Sequence, residues 1–223
     1  MILIVNSQTD SGIFHANSGL IVPKLATLQC NGRISNTNKQ ENEIVFEGDR
    51  QEAYYANIPG QWATVWLRDG STNHSINHLT IKNATIGLRI DNQDQTTISI
   101  KNSQIYNSSN YGILAQNAKI VGENIVINSA GQAALACIYG GNYQFTHCTF
   151  NNNWNNSRQL ALLINNYKLG ANPEAMDLIK ATFNNCIIYG AYSNEFNLDK
   201  NNTALFIKRN RYEWSFRRQR FEH

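Results

Sequence analysis

Ile98-Ser-Ile-Lys-Asn-Ser-Gln-Ile105 decides the fold, because four other stretches repeat its pattern. They are Leu79-Thr-Ile-Lys-Asn-Ala-Thr-Ile86, Ile120-Val-Gly-Glu-Asn-Ile-Val-Ile127, Tyr143-Gln-Phe-Thr-His-Cys-Thr-Phe150 and Ala181-Thr-Phe-Asn-Asn-Cys-Ile-Ile188. In each, apolar or small residues hold positions 1, 3, 6 and 8, so the two-residue alternation of a strand slips phase once in the middle. A continuous strand with that slip would expose half of its apolar set. A corner accommodates it when one residue takes left-handed backbone, which Asn tolerates better than other non-glycine residues. Position 5 is that corner, held by Asn83, Asn102, Asn124, His147 and Asn185. Stacked one strand spacing apart, about 4.8 Å, the side-chain amides can bond to one another up the column.

The sixth positions, Ala84, Ser103, Ile125, Cys148 and Cys186, are separated by 19, 22, 23 and 38 residues. The first three intervals read as one coil each, and the last as one coil with an insertion. A third short strand follows each pair: Leu88-Arg-Ile90, Ile113-Leu-Ala115, Leu135-Ala-Cys137, Leu162-Leu-Ile164 and Phe196-Asn-Leu198. Three short strands per turn, all ascending one way, predict an all-β chain wound as a parallel β-solenoid with three faces. Regular coils are expected over about 76–200. Upstream, Leu20-Ile-Val22, Leu25-Ala-Thr-Leu28 and Asn42-Glu-Ile-Val-Phe46 read as irregular rungs within 14–67, with Trp62-Ala-Thr-Val-Trp-Leu67 leading into the stack. In the insertion, Asn172 and Pro173 are placed as N-cap and first residue of one helical turn.

Composition agrees with this pattern. Of 223 residues 33 are asparagine, a poor helix-interior residue that favours turns, so an α-rich fold is disfavoured. A hydrophobic fraction of 42% supplies a core, yet no run approaches the ~18 apolar residues of a membrane helix. Residues 208–223 carry six of the basic side chains against Glu213 and Glu222, and the rest of the chain is nearly balanced. A basic body for nucleic acid is therefore not expected. The solenoid is assigned to 1–204 and a basic, aromatic tail to 205–223. Met-Ile-Leu-Ile-Val at the start has no basic flank and is too short for a signal peptide. Cys30, Cys137, Cys148 and Cys186 have no CxxC spacing, which argues against zinc or thioredoxin-like chemistry.

Gly140-Gly-Asn-Tyr-Gln-Phe-Thr-His-Cys-Thr-Phe150, Phe183-Asn-Asn-Cys-Ile-Ile-Tyr-Gly190, Val45-Phe-Glu-Gly-Asp-Arg50 and Pro59-Gly-Gln-Trp62 resemble exported bacterial right-handed parallel β-helix proteins. The resemblance covers about residues 14–200. It implies a single-stranded right-handed coil and a location outside the cell or on its surface, and it implies no reaction. Members share the pectate-lyase-like fold and are mostly uncharacterised surface proteins. Against that resemblance both ends read as truncated. The tail reads as an improvised cap on the last coil, a functional basic arm, or a non-native, frameshifted end.

Catalysis finds little support in the register. A glycosidase needs two carboxylates about 5–9.5 Å apart. Asp91 and Asp199 share a column but sit four coils, about 19 Å, apart. Asp91-Asn-Gln-Asp94 reads as a polar turn in preference to a calcium site, and His147 as an imidazole standing in for Asn. His74 and His78 have no acid or cysteine partner nearby in sequence, so no metal or cofactor is expected. Cys148 and Cys186 share an inward position on adjacent coils, where packed free thiols are favoured over a bridge. The turns joining second to third strands gather Tyr106, Tyr111, Trp154, Arg158, Tyr189 and Tyr192 among many amides. Flat aromatic faces with bidentate amides suit sugar rings. The expected function is a non-enzymatic surface solenoid, structural or binding a polysaccharide or cell-surface glycan. The alternative is a polysaccharide lyase or glycoside hydrolase by fold analogy. The competing account of the aromatic turns is simple covering of the coil ends.

Overall fold

Left-handed backbone marks every predicted corner in the computed structural model, which describes residues 1–6, 12–35, 42–92, 94–154, 159–168 and 174–204. The φ angles are 61° at Asn83, 49° at Asn102, 53° at Asn124, 55° at His147 and 52° at Asn185. Short side chains with a local hydrogen bond are the non-glycine residues that occupy this region at least cost. Between the corners the chain is all-β, with two long parallel sheets, one two-stranded antiparallel ladder and a 3-10 turn at Ala53–Tyr55. Among the described residues no helix is long and apolar enough to cross a membrane.

The pairings run as three columns. The first is Ile2–Asn6, Thr27–Asn31, Ser75–Asn77, Thr97–Ser108, Lys119–Ala130, Gly141–Thr146 and Leu178–Asn184. The second joins Gly12–Phe14, Ile44–Gly48, Leu79–Lys82, the later halves of Thr97–Ser108 and Lys119–Ala130, then Thr149–Asn152 and Ile187–Gly190. The third is Leu20–Val22, Trp62–Leu67, Ala84–Ile90, Tyr111–Gln116, Ala133–Ile138, Leu160–Asn165 and Phe196–Asp199. Ile2–Asn6 and Gly12–Phe14 extend the stack below residue 14, where no rung was expected. The second rung begins at Thr27, because Leu25 is held in a left-handed turn (φ 61°) and is 75% exposed. Asn172 and Pro173 lie outside the described residues. Their described flanks, Tyr167–Lys168 and Glu174–Ala175, pair antiparallel.

One corner moves. Ser99, Ile100 and Lys101 pair with Ser75, Ile76 and Asn77, and Gln104, Ile105 and Tyr106 pair with Thr80, Ile81 and Lys82. The residue beneath Asn102 is therefore His78 (φ 51°), while Asn83 lies beneath Asn107 (φ 62°) at the next corner. Two amide ladders result. In the first, Asn102 Nδ2 donates to Asn77 Oδ1 and Asn124 Nδ2 to Asn102 Oδ1, both at 2.9 Å, and Asn185 Nδ2 lies 3.2 Å from His147 Nε2. In the second, Asn107 Nδ2 donates to Asn83 Oδ1 at 3.2 Å.

Inward side chains stack in register between the columns. Ile76, Ile100, Gly122, Phe145 and Phe183 form one such line, and Ile81, Ile105, Ile127, Phe150 and Ile188 another. Most are fully buried, and each aliphatic contributes roughly 1.5–3 kcal/mol. Every coil completes its neighbour's interior, so the order is cooperative.

His74 is built into this interior as a neutral ring. Leu28 N–H donates to its Nδ1 at 3.0 Å, so the proton sits on Nε2, 2.9 Å from Ser71 Oγ. Burial lowers its pKa from 6.5 to about 4, against a smaller opposing pull from Asp94. Between those values the unfolded chain binds a proton that the folded chain refuses. Stability should therefore be full above pH 6.5 and fall progressively towards pH 4. Thermal melts across that range check it: a His74→Gln variant should lack this component of the slope.

Candidate functional site

The turn between the second and third columns is where the aromatic residues gather. Its outward line reads Lys82, Tyr106, Asn128, Asn151 and Tyr189. Tyr106 and Tyr189 thus share a line three coils apart, about 14 Å, with two asparagines between them. Asn151 Nδ2 donates to Asn128 Oδ1 at 2.9 Å, tying those exposed amides together. Trp154 follows Asn152 at this turn, its N–H 3.4 Å from Asn152 Oδ1, and its ring passes Gly131 one coil below. Tyr192 is exposed, and its N–H donates to Glu195 Oε1 at 2.6 Å.

Tyr111 differs from this group. It opens the third column, paired with Ile86 and Ala133, and burial raises its phenol pKa, so it belongs to the neighbouring sheet. Arg158 lies outside the described residues.

A cleft of about 250 Å³ adjoins the lower end of the line, bounded by Glu47, Gly48, Arg50, Gln51, Ala56, Lys82 and Asn83. The segment 49–60 arches over the second column to make it. Gln61 N–H donates to Asn83 O at 2.8 Å and Gln61 Nε2 to Tyr55 O at 2.6 Å, pinning the arch. Asn83 Nδ2 donates to Ala56 O at 3.1 Å. Inside, Lys82 Nζ pairs with Glu47, whose other oxygen accepts from Gln51 Nε2 at 3.2 Å. The Arg50 guanidinium lies 3.9 Å over the Tyr55 ring and 3.4 Å from Glu52. Each cation has its carboxylate, so the cleft offers many directed donors and acceptors with little net field. That character suits a hydroxylated neutral ligand, and its volume suits one ring more than a chain.

Sequence reasoning missed the cleft because it placed Lys82 on the first column, below Lys101. The signal was present: the first interval, 19, is shorter than the 22 and 23 that follow. The two corners of a coil lie five residues apart, as Asn102 and Asn107 do, and the true interval from His78 to Asn102 is 24.

The carboxylates are mostly engaged. Asp91 Oδ2 accepts from Trp66 Nε1 at 2.7 Å and Arg89 Nε at 3.0 Å, and Oδ1 accepts from Gln116 Nε2 at 2.7 Å. Asp94 Oδ1 accepts from Thr96 N–H and Oγ1, as a polar turn requires. Asp199 accepts from the Tyr167 hydroxyl, which the carboxylate raises in pKa. Among the described residues no three His, Cys, Asp or Glu side chains cluster as a metal site. Glu195 stands apart. Its Oε2 is buried without a hydrogen-bond partner, its carboxyl fills the space a Cβ at Gly190 would need, and burial raises its pKa.

Comparison of the chain with protein-family models, with curated proteins and with solved structures returned no match.

Proposed function

We propose that the chain is a right-handed, three-faced parallel β-helix of the exported bacterial kind that holds carbohydrate along the turn between its second and third columns without cleaving it. The right-handed sense follows from the strong preference of parallel crossovers for that hand. The observation that carries the binding site is the placement of Lys82 beneath Tyr106. It makes the neutral, donor-rich cleft of Glu47, Arg50, Gln51 and Asn83 continuous with the aromatic line ending at Tyr189. Ring stacking at Tyr106 with amide contacts on either side is the usual division of labour in sugar recognition. A surface location, with a polysaccharide or cell-surface glycan as partner, accords with the resemblance to surface β-helices.

Affinity electrophoresis against a panel of plant and bacterial polysaccharides tests the reading. At least one neutral polysaccharide should retard the protein, and Tyr106→Ala or Arg50→Ala should weaken that retention about tenfold, the equivalent of ~1.4 kcal/mol. Retention untouched by both substitutions, or absent across the panel, contradicts it. One observation favours the hydrolytic alternative: Glu195, a carboxyl with raised pKa beside Tyr192, has the character of a general acid. In that reading, new reducing ends would appear and vanish in Glu195→Gln.

A further inference from the structure

Four cysteines are free and buried, but only two meet. Cys148 and Cys186 each follow a left-handed corner residue, His147 and Asn185, and so take the first inward position of the second column. Thr146 pairs with Asn184 and Thr149 with Ile187, which sets Cys148 and Cys186 opposite each other on adjacent coils. A parallel strand spacing of about 4.8 Å places their Cα atoms within the ~4.4–6.8 Å that a disulfide spans. The thiols are otherwise turned to backbone carbonyls, Cys148 Sγ to Thr146 O at 3.3 Å and Cys186 Sγ to Asn184 O at 3.4 Å. Cys148 is 1% exposed and Cys186 7%, so Cys186 is the slightly more accessible of two buried thiols. Cys30 lies between Val5 and Ile76, and Cys137 between Ala115 and Ile164, with no sulfur opposite either.

We propose that Cys148 and Cys186 form a thiol–disulfide redox site that joins the last two described coils and takes small aliphatic disulfides as its oxidant. Cys186 is the attacking sulfur. The neighbouring Cys148 thiol draws the pKa of Cys186 below the usual thiol value, while that of Cys148 is raised in turn. A thiol whose pKa lies near ambient pH is the best attacking group in exchange. The thiolate of Cys186 attacks one sulfur of the oxidant, forming a mixed disulfide and releasing one small thiol after protonation. Cys148 then loses its proton to water, and its sulfur attacks Cys186, expelling the second small thiol. The protein gives up two protons and two electrons, and the oxidant becomes two thiols. Burial pushes Cys30 up to about 12 and Cys137 upward as well, which keeps both out of the exchange.

The test treats the folded 223-residue chain with hydroxyethyl disulfide and maps its thiols by mass spectrometry, with circular dichroism to verify folding. The expected product is a Cys148–Cys186 bridge, with Cys30 and Cys137 modified at least about tenfold more slowly. Cys148→Ala, or Cys148→Ser should the first not fold, should stop at a mixed disulfide on Cys186. The rate of that first step should rise with pH through a midpoint below the usual thiol value of about 8.5. A folded wild-type chain that leaves all four thiols unreacted, or that halts at the mixed disulfide with Cys148 present, overturns the proposal.

Discussion

Replacing Phe145 by Ala should lower stability by about 3–5 kcal/mol. The ring is fully buried, lies parallel to Phe183 with centroids 5.3 Å apart, and meets Phe150 edge-on at 5.5 Å. It also fills the space above Gly122, its register partner one coil below. Because Gly122 has no side chain to move in, the cavity left by Phe145→Ala cannot collapse. Adding a methyl at Gly122 forces the opposite fault, since a Cβ there overlaps the Phe145 ring, and should cost about 1–3 kcal/mol. Combining the two should cost less than their sum, because each relieves part of the other's defect. Denaturant melts of the four proteins measure this coupling. Strict additivity would place Gly122 and Phe145 on different lines of the interior.

Asn102→Val should cost about 2–4 kcal/mol from a different cause. Asn102 has a φ of 49°, a region that a β-branched residue enters only with strain. Its side chain also donates to Asn77 and accepts from Asn124, each at 2.9 Å, and valine can do neither. Asn102→Gly loses the same two hydrogen bonds without the strain and should cost about half as much. Equal thermal melts for parent and valine variant would remove the corner from Asn102.

The corners were legible because the physics there is local. One left-handed residue flips the inward alternation, and the flip is visible in eight residues without knowing what lies above or below. Thus Asn102, Asn124, His147 and Asn185 fall in one column, as do all five third strands. The error at Asn83 has the same origin. Both corners of a coil favour Asn, so a slip of five residues preserves the motif while shifting the strand to the next column. That slip hid the cleft, because it set Lys82 and Asn83 on the first column, whereas the 49–60 arch is pinned over the second. Glu195 escaped notice for a further reason: burial of one carboxyl oxygen depends on a turn closing over Gly190, which no periodicity encodes.

Binding and cleavage measured in the same sample test the central claim most directly. The protein is incubated with each polysaccharide of the panel, and the fraction bound is read alongside the reducing ends and unsaturated product formed. The carbohydrate-holding account predicts retention on at least one neutral polysaccharide, weakened by Tyr106→Ala, with reducing ends no higher than in buffer at any pH from 4 to 8. Reducing ends well above buffer in the wild type, lost in Glu195→Gln while retention persists, would contradict it.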